Sequence, residues 1–449
     1  MLENQISNMT LSDLIALGSF SCGCGKVHGT DVKRVVVESG AIRKLPEWLR
    51  QIGVTRPFLL SGKATFAAAG DRVCEALTQS GIPYSQFVFP ESPVLPTEHS
   101  VGSAVMHFDR SCDGIVAIGS GVINDIGKIL ARTTGLPYTI VGTAPSMDGF
   151  ASDSSSMEMD GLKVSLPSAC PSGIFGDLDV LCDAPLHMIR AGIGDMLAKY
   201  ISICEWKIAQ IVMDEYYCPV VSQMIQTALK RCLDASDAAL RREPDGVKAV
   251  MEGMVIIGMS MQYAGVTRPA SGGEHYFSHL WDMRGLAYGT MTDLHGIQCG
   301  IGTLLTLKIY EYIRTVNPDR DHALAYAASF DQAEWNRKLL EFVGPGANAM
   351  IQTAQKEEKY DLAKHEDRLN KIITNWPQIL EIINTLPGYQ EICDKMTALG
   401  APVSAGSFQV TDEQVRTTFT MTKDIRFKYV ASQLLWDLGL LEEAAKVLP

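Results

Sequence analysis

Glu274, His275 and His279 stand together in SGGEHYFSHLWDM, and TDLHGIQCGIG adds His295, so three of the nine histidines fall within 21 residues. His275 and His279 are four apart, the spacing that puts two side chains on one face of a helix. About 80 residues earlier, AGIGDMLAKY sets Asp195 in the first turns of a helix, with Lys199 one turn later. One carboxylate with two or three imidazoles is the donor set of an open zinc, nickel or iron site. Any one of these histidines alone reads equally as a packed core residue. The spacing matches no short motif such as H-E-x-x-H, so the grouping carries the reading.

A second group suits a phosphate. IVAIGSGVINDIGKILA puts Gly119, Ser120 and Gly121 at a strand end, with a helix beginning near Asn124. Backbone N–H groups at a helix start attract anions, and glycine permits close approach. No third glycine completes a G-x-G-x-x-G pattern, and the same turn also serves as a plain strand-to-helix connection. TAPSMDGFASDSSSM then offers Thr143, Ser146, Asp148 and Ser152 beyond the next strand. Two polar, glycine-containing strand ends make the crevice in which α/β sheets bind ligands. Ordinary turn chemistry accounts for the same Ser and Asp residues.

A third group, Cys22, Cys24 and His28 in FSCGCGKVHGTD, offers three soft donors within seven residues. It reads either as a metal site lacking an evident fourth ligand or as a glycine-loosened loop over packed thiols. The remaining cysteines, of eleven in all, are scattered and read as reduced, mostly buried thiols.

Positioning these groups falls to two kinds of segment. Through about residue 180, strands and helices alternate, which predicts a parallel sheet covered on both faces. The strands are VKRVVVESG (32–40), PFLLSGK (57–63), SQFVFP (85–90), GIVAIGS (114–120), YTIVGTAP (138–145) and IFGDLDVL (174–181). The stretch 146–173 reads as a long loop, with room for a small hairpin, and such loops are usually functional. Beyond Ala184–Pro185 only helical segments follow, among them 187–213, 216–242, 246–264, 294–317 and 425–446. The expectation is a Rossmann-like domain over 1–184 and an all-helical domain over 185–449.

At 449 residues the chain is long enough for two cores, and 46% hydrophobic with 20% charged residues fits a globular protein. A net charge of −12 weighs against nucleic acid or an anionic membrane as partner. No run of 18 apolar residues appears in the sequence and the N-terminus shows no signal pattern, so a cytoplasmic location without membrane spans is expected.

In combination, G-S-G-x-x-N-D, T-A-P-S-M-D-G-x-A-S, G-x-G-D-x-x-A-K, E-H-x-x-x-H and H-G-x-Q resemble the sn-glycerol-1-phosphate dehydrogenases, over roughly residues 30 to 305. That family lies in the superfamily of iron-containing alcohol dehydrogenases, glycerol dehydrogenase and dehydroquinate synthase, and FSCGCGKVH resembles its bacterial branch. Ser120 departs from the G-G-x that the family commonly shows at the phosphate turn.

The resemblance implies one divalent metal per subunit (zinc, nickel or iron) held by Asp195, His275 and His295. It implies NAD(P) lined by Gly119, Gly121, Val122, Ile123, Asn124, Asp125, Thr143, Ala144, Pro145, Ser146, Ser152 and Lys163. Asp148 and His279 would touch substrate, as would Asp195 through the metal. The implied reaction, in phospholipid metabolism, interconverts dihydroxyacetone phosphate and sn-glycerol 1-phosphate. His279 is the expected proton donor, because an ordinary imidazole titrates near working pH. Lys199 and Arg268 are the expected phosphate partners, and a homodimer or higher homo-oligomer is the default assembly. A glycerol-type polyol dehydrogenase is the alternative, or a dehydroquinate synthase-like lyase. The lyase would call for more cations around the Asp148 loop than Lys163 alone. The second strand ends Leu59-Leu60-Ser61-Gly62-Lys63 without an acid, so both NADH and NADPH are expected to serve.

Overall fold

The computed structural model describes residues 9–160 and 162–449. The chain folds into two compact units. The first runs through Asp160 and takes Val164–Met196 and Pro219–Val266. The second holds Leu197–Cys218, Thr267–Pro449 and the short stretch ending at Lys163. Among the described residues, no helix is long and apolar enough to cross a membrane.

In the first unit a short helix, Leu11–Leu17, is followed by two two-residue strands, β1 (Phe20–Ser21) and β2 (Val27–His28), which pair antiparallel. Its centre is a six-stranded parallel sheet. The strands are β3 (Arg34–Glu38), β4 (Pro57–Gly62), β5 (Ser85–Phe89), β6 (Gly114–Gly119), β7 (Tyr138–Gly142) and β10 (Gly173–Asp177), in the order β3-β10-β7-β6-β4-β5. Every residue of β4, β6, β7 and β10 is buried, as a sheet covered on both faces requires. From β4 the chain moves outward to β5, then returns to the other side of β4 as β6. The direction of winding therefore reverses between β4 and β6, and the crevice outside their carboxyl ends is the ligand position in open α/β sheets.

Helix α1 (Gly121–Thr134) starts directly after β6, three residues before the expected start at Asn124. A Cβ on its Gly127 would lie 2.7 Å from the Tyr138 hydroxyl, so this glycine lets helix and strand pack closely. Within the expected long loop, β8 (Ser154–Met159) and β9 (Leu162–Pro167) form a two-stranded sheet. The strand expected over 174–181 stops at Asp177, whose carboxylate accepts the Asp179 N–H at 3.1 Å and opens a helical turn, Leu178–Leu181.

The expected division at Ala184–Pro185 is not where the units part. Helix α2 (Leu186–Leu197) lies almost wholly in the first unit, and α4 (Pro219–Asp234) and α5 (Pro244–Ala264) return to it. The reason is close packing through small residues. A Cβ on Gly258 of α5 would lie 2.8 Å from the Ala151 nitrogen, and Gln262 Oε1 accepts the Asp31 N–H at 2.9 Å.

The second unit is helical. Helix α3 (Lys199–Met213) is parted from α2 by Ala198 alone, where one continuous helix over 187–213 was expected. Helix α6 (Gly273–Tyr288) carries the segment with His275 and His279, and α7 (His295–Ile313) begins on His295. These two cross tightly, because a Cβ on Gly302 of α7 would collide with the Glu274 carbonyl. The expected helix over 425–446 is two, Ala431–Asp437 and Leu441–Ala445.

Candidate active site

In the first unit, the two strand-end turns are joined through their side chains. Ser120 and Ser146 place their hydroxyl oxygens 2.5 Å apart, and Ser120 Oγ donates to the Ala144 carbonyl at 3.2 Å. The Thr143 N–H donates to the Gly119 carbonyl at 3.0 Å. Gly121, Val122 and Ile123 form the first turn of α1, where N–H groups lack intrahelical acceptors. Pro145 lies against Gly192 of α2, and a Cβ there would collide with the Pro145 carbonyl. A cavity of about 630 Å³ opens among Thr65, Arg72, Thr143, Ala144, Asp179 and Met188, beyond the carboxyl ends of β4, β7 and β10.

Other expected cofactor residues serve the loop. Asn124 is fully buried; its amide donates to the Gly149 carbonyl at 3.3 Å, and its Oδ1 accepts the Tyr138 hydroxyl at 2.8 Å. Asp125 accepts the Ser156 N–H at 3.3 Å. Sequence reasoning passed over Lys128, one turn along α1 and fully buried. Its ammonium donates to Gly149 O at 2.5 Å, Ser152 Oγ at 3.0 Å and Ser154 O at 3.2 Å. The Ser152 hydroxyl is thus an internal strut of the loop. At the end of the second strand, Ser61 is buried within β4, whereas Lys63 is exposed.

The loop is also tied to α2. Asp195 is fully buried, and its Oδ2 accepts the Asp148 N–H at 2.9 Å.

In the second unit, the rings of His275 and His295 lie 5.0 Å apart, and those of His279 and His295 lie 6.0 Å apart. Glu274 Oε1 sits 2.9 Å from His275 Nδ1, which fixes the Nδ1–H tautomer and leaves Nε2 as the nitrogen able to hold a metal. His295 Nδ1 sits 3.0 Å from Ser278 Oγ. Cys299, one turn beyond His295, brings its sulfur 3.5 Å from His295 Nε2. Donor atoms of His275, His295 and Cys299 all lie within 4.8 Å of one another. Two oriented imidazoles beside a thiol fit a divalent transition metal. Cys299 was legible in HGIQC as a second donor at i, i+4.

Withdrawal from water, then the charge of Arg426 and the neighbouring His295, His275 and Lys163, pull the pKa of His279 well below its ordinary 6.5. The expectation of titration near working pH rested on an ordinary imidazole, and burial shifts this one downward from that value. Lys163, expected at the cofactor, stands 3.5 Å from Asp282 one turn beyond His279. The expected phosphate partners are committed elsewhere. Lys199 is fully buried and donates to the Ala270 carbonyl at 2.9 Å; Arg268, also buried, donates to the Glu205 and Tyr429 carbonyls at 3.1 and 2.5 Å.

Residues 36–185 match the family model for iron-containing alcohol dehydrogenase. A glycerol-1-phosphate dehydrogenase [NAD(P)+] of Geobacillus stearothermophilus is 32% identical over 334 residues, 74% of this chain and 82% of that protein. This chain belongs to the glycerol-1-phosphate dehydrogenase family. It is an NAD(P)-linked oxidoreductase of the iron-containing alcohol dehydrogenase type. The family member from Halalkalibacterium halodurans is 29% identical over 395 residues, 87% of this chain and 89% of the relative. The fold of this chain is similar to the crystal structure of a probable glycerol dehydrogenase from Sinorhizobium meliloti 1021, with a TM-score of 0.58 and 15% identity over 92% of this chain and 98% of that one.

Proposed function

We propose that this family member reduces dihydroxyacetone phosphate to sn-glycerol 1-phosphate, with Asp195, His275 and His295 holding one divalent metal. The observation that carries the reading is the His275–His295 pair, 5.0 Å apart with Glu274 fixing one ring, in a chain 32% identical to a glycerol-1-phosphate dehydrogenase. When bound, the metal supplies Lewis acidity at the C2 oxygen and the nicotinamide supplies the hydride.

The protein's own residues do the rest. The crevice between β4 and β6, with the first turn of α1, receives the pyrophosphate. Ser120 and Ser146 brace the two turns that form its rim. His279 would hydrogen-bond to the C2 oxygen and relay a proton to it from solvent, taking one up at its far nitrogen as it gives one away, so that the ring ends neutral. Asp148, anchored through its backbone to Asp195, orients a substrate hydroxyl. Lys163 and Arg426, whose charges already act on His279, supply the positive field for the substrate phosphate in place of Lys199 and Arg268.

The test is turnover by the full chain, metal-stripped and reloaded with zinc, nickel or ferrous iron, on dihydroxyacetone phosphate and on glycerol with either cofactor. Reduction of the phosphate ester to the sn-1 enantiomer supports the reading. Oxidation of glycerol without activity on the ester assigns the chain to an unphosphorylated polyol instead.

A further inference from the structure

The cysteine-rich segment near the N-terminus takes no part in this chemistry, yet it is built as a site. β1 and β2 pair with Phe20 opposite His28 and Ser21 opposite Val27, so residues 22–26 form the tip of a tight knuckle. Cys22 N–H donates to the Lys26 carbonyl at 3.0 Å and Gly25 N–H to the Cys22 carbonyl at 3.1 Å. Gly25 adopts a φ of +88°, a left-handed conformation that favours glycine. The turn brings the sulfurs of Cys22 and Cys24 and a ring nitrogen of His28 within 4.8 Å of one another.

The imidazole is oriented from behind. His28 is fully buried, and its Nδ1 lies 2.6 Å from the Tyr263 carbonyl in the last turn of α5. A carbonyl accepts only, so Nδ1 carries the proton and Nε2 is the bare nitrogen, 3.3 Å from Cys24 Sγ. A histidine whose far nitrogen donates to a backbone carbonyl is the usual outer-shell arrangement of a metal-bound imidazole. Lys26 Nζ also donates to the Ala264 carbonyl at 3.1 Å, so the knuckle is clamped on both sides to the end of α5.

We propose that Cys22, Cys24 and His28 hold a structural zinc ion, distinct from the catalytic metal. Two thiolates and one oriented imidazole are soft donors of the kind that suits zinc. Binding releases the thiol protons to solvent, so the site weakens as pH falls. Its work is to pin the N-terminal segment to α5.

The test uses the full chain, stripped with a chelator and then given zinc or not. Alkylation of native protein, mapped by peptide mass spectrometry, should show Cys22 and Cys24 protected by zinc, with Cys74 and Cys393 labelled equally in both samples. In a Cys299→Ala background, cobalt(II) should give a thiolate-to-metal charge-transfer band. Cys22→Ser with Cys24→Ser should abolish that band. Equal labelling of Cys22 and Cys24 with and without zinc overturns the site, even if the serine variants fold poorly. A band unchanged in the double serine variant likewise overturns it.

Discussion

Asp195 Oδ2 accepts the backbone N–H of Asp148 at 2.9 Å, so the helix proposed to supply a metal ligand also fixes the loop proposed to meet substrate. One carboxylate serves two tasks, and substitutions should separate them. Asp195→Ala removes both the ligand and the acceptor. Asp195→Asn keeps an oxygen for the Asp148 N–H and loses the anionic ligand. Both variants, and His275→Ala, should lose catalytic metal and turnover while binding nucleotide within about threefold of wild type, a difference under ~0.7 kcal/mol. Metal analysis and nucleotide titration check this; full occupancy of the catalytic metal in any of the three would falsify the ligand set.

His279→Ala should retain the catalytic metal and lose turnover by about 10²- to 10⁴-fold, the usual worth of a positioned proton donor. Because the pKa of His279 is pulled well below 6.5, the wild-type pH–rate profile should show no acid limb near that value. A limb centred there would show that His279 cycles through its charged form. Loss of metal in the variant would make it a ligand.

Gly192→Ala should be costly for so small a change. The new Cβ meets the Pro145 carbonyl and the Met254 side chain. Either the T-A-P-S turn or α2 has to shift, at a cost of about 1–3 kcal/mol. The nucleotide KM should rise more than kcat falls. Wild-type melting temperature and KM in this variant would remove the turn from the cofactor site.

Glu205 makes stability depend on pH. It is buried with Glu274 beside it, and the loss of water, followed by that neighbouring charge, pushes its pKa from 4.5 up to about 8. A raised folded-state pKa means that stability is fully present below the unfolded value and is lost as pH rises through the folded one. The thermal midpoint should therefore decline between about pH 5 and pH 8.5. Glu205→Gln should flatten that decline, even if losing an acceptor for the Gly273 or Ala431 N–H lowers its midpoint throughout. Parallel curves for the two proteins would locate the dependence elsewhere.

Cofactor choice should rest on Lys63, exposed just past β4, because Ser61 is buried in the strand. Wild type is expected to use NADH and NADPH within about tenfold of each other in kcat/KM, or ~1.4 kcal/mol. Lys63→Glu should lower the NADPH value by about tenfold and leave NADH nearly unchanged. An unaltered ratio would mean that this lysine points away from the 2′-phosphate.

The sequence by itself determined the element types and the chemistry of the groups. All-apolar strands such as GIVAIG, ended by glycine turns, specify a buried parallel sheet, because only a sheet covered on both faces buries every side chain. His275, His279, His295 and Asp195 were recognisable as donors from residue type and local spacing, which periodicity within one helix supplies. What joins residues far apart in the chain was decided by tertiary structure. Gly302 had no special meaning until α6 and α7 crossed on it, and that crossing sets the distance between His275 and His295. Lys128 looked like any helix lysine until the 149–154 backbone wrapped around its ammonium. The pKa of His279 and the commitment of Lys199 and Arg268 to buried carbonyls likewise depend on solvent exclusion and partner placement. Such quantities are fixed only when the helices pack, since burial and long-range contact have no period along the chain.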